Sequence, residues 1–183
     1  MSRQAKAVVC REWGQPLHVE TITVDPPKRG EVTIKVAACG VCHSDHSAAT
    51  GKIPYPAPLV LGHEAAGVVI EVGEGVTALK EGDYVVSTFK CRNCVRGRPV
   101  LCENARKSMT TLPDGTVRTH GKDGEDLNVF GACGVMAEYA TLHVDNCVQI
   151  DGDVPMSSAA LVGCAVITGV GSVFNTAELE PGS

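Results

Sequence analysis

Three short strings hold the residue types from which a metal centre is built. They are CGVCHSDH from Cys39 to His46, LGHEAAG around His63 and Glu64, and LVGCAVITG around Cys164. A catalytic zinc site takes three protein ligands of the cysteine, histidine or carboxylate kind and keeps one position open for water or substrate. Cys42, His63, Glu64 and Cys164 are the candidate donors, although spacing alone does not select them. A second group, Cys91, Cys94 and Cys102, lies within CRNCVRGRPVLCEN. The chain has 9 cysteines, an odd number that argues against a complete set of internal disulfides and favours metal thiolates.

Other chemistries fit these residues less well. Cys39-Gly40-Val41-Cys42-His43 matches the pattern of c-type haem attachment and contains the spacing of a dithiol redox pair. Haem attachment belongs to exported proteins, and redox dithiols of the thioredoxin kind open a helix in a βαβ pattern, which is missing here. Gly169-Val170-Gly171 follows a helical run and lacks the third glycine of a dinucleotide fingerprint. Cys10, Cys39, Cys133 and Cys147 read as small buried hydrophobes within strands. His18, His120 and His143 read as surface or edge residues.

The composition narrows the partners. A net charge of -5 with both signs interspersed disfavours nucleic acid and anionic membranes, and a small neutral substrate fits better. No apolar run is expected to approach the roughly 18 residues of a membrane span. Residues 1–11 lack the apolar stretch of a secretory signal, so a cytoplasmic location is expected.

The elements that must position the donors are mainly β. AKAVV, LHVETITV, EVTIKVAA, AAGVVIEVG and DYVVSTF are short β-type runs separated by Gly and Pro turns, a pattern expected of a small antiparallel barrel or sandwich. Pro113-Asp114-Gly115 and the stretch from His120 to Gly124 read as a hairpin and a surface loop. MAEYATLHVDNCVQI resumes strand character. Pro155 with Ser157 and Ser158 opens the first expected helix.

In order along the chain, GEVTIKVAACGVCHSD, LVLGHEAAGVVIEVGEGV, EGDYVV, CRNCVRGRPVLCEN, GVMAEYA and LVGCAVITGVGSVFNTAELEPGS resemble the zinc-dependent alcohol dehydrogenase family, in its class III-like branch. The resemblance covers nearly the whole chain. It implies a mainly β, GroES-like barrel catalytic domain over residues 1–155, without the Rossmann domain, and a helical segment over residues 156–183 leading toward a nucleotide-binding domain.

The same resemblance implies site roles. Cys42, His63 and Cys164 become the catalytic zinc ligands and Glu64 the carboxylate beside the metal. Asp45 fixes the His63 imidazole, Ser44 hydrogen-bonds the substrate hydroxyl, and His43 lies near the cofactor pyrophosphate. Cys91, Cys94 and Cys102 correspond to a structural zinc site, with Thr88 where a first cysteine is expected. Ser47 occupies the position of the family's relay histidine, and His46 falls one place early.

The implied cofactors are Zn2+ and NAD, the substrate is a small alcohol or aldehyde, and the full-length form is a homo-oligomer. No G-x-G-x-x-G follows a strand, so turnover by the 183 residues alone is not expected. The alternatives are a GroES-like zinc-binding or interaction module, and a thiol or haem redox protein.

Overall fold

The computed structural model describes residues 1–88, 109–180 and 182. Alternation of apolar and polar side chains sets the first sheet. In β1 (Arg3–Cys10) Ala5, Ala7 and Val9 turn inward, and β2 (His18–Val24) pairs antiparallel with it, placing Ile22 opposite Ala5. The long β3 (Glu31–Cys39) lies in the second sheet between β5 (Ala65–Val72) and β9 (Tyr139–His143). Its pairing with β5 shifts register between Thr33 and Ile34 and again between Val36 and Ala38, which bends the strand.

Each sheet has five strands. With β4 (Leu59–Val60), β6 (Tyr84–Ser87), β7 (Thr119–His120), β8 (Asn128–Val129) and β10 (Cys147–Ile150), the orders are β7-β2-β1-β4-β8 and β10-β6-β5-β3-β9. The pairing is antiparallel except between β4 and β8, which run parallel. Residues 135–138 join the sheets: the Met136 carbonyl accepts from the Val8 amide and the Glu138 carbonyl from Val36. The result is barrel-like, with one core around Val32, Ile34, Val69, Val85 and Leu142 and another around Val9, Ile22, Val24, Val60 and Leu127.

Two helices complete the described residues: the first was not expected, and the second begins where the sequence predicts but makes a longer apolar run than expected. The first, α1 (His43–Ala49), precedes the helix expected at Pro155. It has no apolar period to betray it, and it is held at its start by the Asp45 carboxylate, which accepts from the Cys42 amide at 3.0 Å. The second, α2 (Met156–Thr176), is 21 residues long and largely apolar, so an apolar run of spanning length does exist. Ser, Thr and Gly are scattered through it, but it contains no charged residue. Length and apolarity alone do not make it a span, because helices of soluble proteins pass the same test.

Only the start of α2 is well covered, where Ala159 and Ala160 pack on Ala66 and Val86. Its two segments Val162–Val166 and Ser172–Thr176 are wound as π-helix. Two smaller expectations also change. Cys133 follows a single 3-10 turn (Phe130–Ala132) instead of lying in a strand. The segment after Pro113 is not all surface: Val117, Arg118, Thr119 and Leu127 are buried. Arg118 inserts there because its guanidinium meets Glu31 at 2.6 Å and Asp114 at 2.7 Å.

Candidate metal centre

Three segments far apart in sequence converge at one end of the second sheet. Cys42 stands at the start of α1, His63 in the loop between β4 and β5, and Cys164 in the first π-helical stretch of α2. One donor atom from each, two Sγ and one imidazole nitrogen, lies within 4.8 Å of the others. A tetrahedral zinc with bonds of about 2.0–2.3 Å separates its donors by roughly 3.3–3.8 Å, a spacing that this set approaches. Two soft thiols and an imidazole are a donor set that suits zinc.

His63 is fully buried, and Asp45 fixes its ring. Asp45 Oδ1 lies 3.3 Å from His63 Nδ1 and accepts from the Gly62 amide at 2.9 Å. One carboxylate thus ties the start of α1 to the histidine loop and leaves Nε2 facing the thiols. Gly62 has a local reason: its φ is +93°, and a Cβ there would lie 2.3 Å from the Met136 nitrogen. Ser44 donates its hydroxyl to Cys42 Sγ at 3.0 Å, and its oxygen lies 3.5 Å from His63 Nε2. Glu64 is buried, and its Oε2 accepts from the Ala165 amide at 3.3 Å, next to Cys164.

The electrostatics of the two thiols differ. At Cys42, burial works to raise the thiol, but hydrogen bonds from Ser44 and His63 prevail and hold it below its ordinary value. At Cys164, burial pushes the thiol up to about 11, and the negative charges of Cys42 and Glu64 add to the rise. For His63, burial disfavours the charged ring, yet the Asp45 carboxylate and the Cys42 thiolate hold it above its ordinary value. The negative neighbours that raise Cys164 crowd one imidazole, and a cation would relieve their mutual repulsion.

The remaining expected residues fall as follows. His43 is the exposed first residue of α1, with Nδ1 3.3 Å from the Ser47 hydroxyl and its ring edge-on to His46 at 5.7 Å. Thr88 is buried, and its amide donates to the Asn146 carbonyl at 2.8 Å. Cys91, Cys94 and Cys102 lie outside the described residues. Sequence reasoning missed Gly62, Ser87 and Gly163. The one available signal is a glycine immediately before each of the donors His63 and Cys164.

Residues 28–152 match the family described as Alcohol dehydrogenase GroES-like domain. The chain belongs to that family. Among curated relatives of this alcohol dehydrogenase GroES-like domain, S-(hydroxymethyl)glutathione dehydrogenase of Escherichia coli O1:K1 / APEC is 40% identical over 187 residues, covering 98% of this chain and 50% of the relative. The chain thus spans about half the length of the curated relatives it matches.

Solved structures agree with the domain's fold. An alcohol dehydrogenase zinc-binding domain protein from Burkholderia ambifaria superposes with TM-score 0.92 at 33% identity, covering 100% of this chain and 51% of the other. Benzyl alcohol dehydrogenase from Acinetobacter calcoaceticus gives TM-score 0.85 at 31% identity, covering 99% and 50%. The GroES-like barrel expected from the sequence is the fold found.

Proposed function

We propose that this chain is the metal-holding catalytic part of a zinc-dependent alcohol dehydrogenase, oxidising a small alcohol to an aldehyde with hydride passing to NAD. The observation that carries the reading is the convergence of Cys42, His63 and Cys164 from three distant segments. These three would hold the zinc, which supplies Lewis acidity and an open position for a substrate oxygen. Asp45 at Nδ1 fixes the His63 tautomer, so that Nε2 presents its lone pair to the donor side. The Ser44 hydroxyl, beside Cys42 Sγ and His63 Nε2, is placed to hydrogen-bond a substrate hydroxyl and hold its proton at Oγ. Buried Glu64 adds negative potential next to Cys164 and opposes loss of the bound cation.

His43, exposed at the start of α1, is the residue assigned to the cofactor pyrophosphate. NAD itself would be bound mainly by the half of the relatives that these residues do not span. In this reading residues 1–155 form the barrel domain and residues 156–183 lead toward that half. The 183 residues then hold metal without turning over, and the full-length form is a homo-oligomer. The six free cysteines among the described residues suit a reducing, cytoplasmic setting.

The test compares the chain with Cys164→Ser by metal analysis and by NADH formation from a primary alcohol. The expected result is zinc in the parent, more than about a hundredfold weaker affinity at this site in the variant, and no NADH from either. A parent without zinc at these residues overturns the metal reading. Vigorous NADH production by the chain alone overturns the account of cofactor binding. Zinc without alcohol oxidation in the full-length protein favours the alternative, a zinc-binding or interaction module.

A further inference from the structure

We propose that Ser87 is a positioning residue that locks the His63 loop to the Cys164 segment of α2 and so sets the spacing of the donors. The inference rests on the metal reading of that site. Ser87 is the last residue of β6 and is fully buried. The Ala65 amide donates to Ser87 Oγ at 2.8 Å, and the Ser87 hydroxyl donates to the His63 carbonyl at 3.4 Å. These two bonds straddle Glu64. A single hydroxyl therefore pins the backbone on both sides of Glu64, beginning at the His63 carbonyl.

The backbone of the same residue meets α2. A Cβ on Gly163 would lie 2.1 Å from the Ser87 carbonyl oxygen and 3.7 Å from Glu64 Cα. The helix is pressed onto the strand end at the residue immediately before Cys164, and only a glycine permits that approach. Ser87 thus touches the segments that carry two of the three donors. The third donor, Cys42, is tied to His63 through Asp45.

The base of this clamp is rigid. β6 is flanked by β5 and β10, with Ser87 opposite Cys147 and Val86 opposite Ala66. An alanine at 87 would strip a partner from the Ala65 amide and from the His63 carbonyl, and both residues are fully buried. The resulting backbone shift begins at a donor residue. An ordinary buried serine would affect stability alone, whereas this one also moves a ligand.

The experiment loads the 183-residue chain with Co2+ and takes as the site signal the absorption that Cys164→Ser removes. Ser87→Ala is expected to weaken cobalt affinity about tenfold and to shift the thiolate-to-cobalt bands. Gly163→Ala, which pushes the same contact from the other side, is expected to shift the same bands. Ile22→Val trims the core of the other sheet and serves as a stability control, lowering Tm while leaving affinity and bands unchanged. Wild-type affinity and bands in either Ser87→Ala or Gly163→Ala overturn the clamp.

A wild type that takes up no cobalt defeats the metal reading instead. The clamp is then judged on metal-free protein by amide hydrogen exchange at Ala65. Faster exchange in Ser87→Ala than in Ile22→Val upholds the clamp, and equal rates overturn it.

Discussion

Arg118 and His63 are both buried, yet the groups around them meet them in different ways. Arg118 sets one guanidinium against the carboxylates of Glu31 and Asp114, and its remaining donors reach the Thr116 hydroxyl and the Val117 carbonyl. The His63 cluster gathers two thiols, a fixed imidazole and the carboxylates of Asp45 and Glu64, and the electrostatic neighbours of Cys164 are themselves negative. A cluster that satisfies itself holds a fold together. One with surplus electron pairs is a receptor for a cation, and the contrast between the two can be tested from either side.

The largest effect is expected at the cluster whose guanidinium donors are all met. Arg118→Ala leaves Glu31 buried without its cation, at a cost of about 3–5 kcal/mol, or roughly 6–20 °C in Tm for a chain of this size. Calorimetry reads the loss, and zinc affinity of the folded fraction should not change. A large drop in zinc affinity would break the comparison by showing that the two clusters act as one.

Asp45→Asn should do the reverse. It keeps the shape but removes the charge that faces His63 Nδ1, so zinc affinity should fall about tenfold while Tm moves less than for Arg118→Ala. Competition with a chromogenic chelator measures it. Unchanged affinity would show that the imidazole is held by packing alone.

The smallest effect is a pH dependence. Although burial opposes the charge of Asp114, hydrogen bonds from Arg118 and Thr116 prevail and bring its carboxyl down to about 2. With the folded value depressed, the unfolded chain binds more protons as pH falls. The stability from this group is present above the ordinary carboxylate range and is lost as pH drops through about 2. Asp114 is partly exposed, so solvent screens the contribution. Melting curves between pH 2 and 6 should fall less steeply for Asp114→Asn than for the parent. Identical slopes would remove Asp114 from the cluster.

The longer strands were legible because alternation such as buried Ala5 and Ala7 against exposed Gln4 and Lys6 is a local signal, which the two-residue strands β4, β7 and β8 are too short to carry. The convergence of Cys42, His63 and Cys164 was legible only through the combined motifs, since nothing in any one of them taken singly points to the others. α1 went unseen because seven residues without an apolar period carry no helix signature beyond the Cys42 to Asp45 spacing. α2 was legible from Pro155 onward, but its interspersed Ser, Thr and Gly hid that the apolar run is of spanning length. Arg118 sits among turn residues, and its partner Glu31 lies 87 positions away, a pairing that only the folded topology reveals. Ser87 reads as any polar residue in a strand until its hydroxyl is seen between Ala65 and His63.

The sequence distance between the donors bears on how the protein matures. Cys42 and Cys164 are 122 positions apart (164 minus 42), with β5, β6 and β10 lying between them in the chain. Long-range closures of this kind come late in folding, after the local hairpins. The barrel should therefore assemble in a chelator and acquire its ion afterwards, the reverse of a zinc finger, whose collapse waits for the ion.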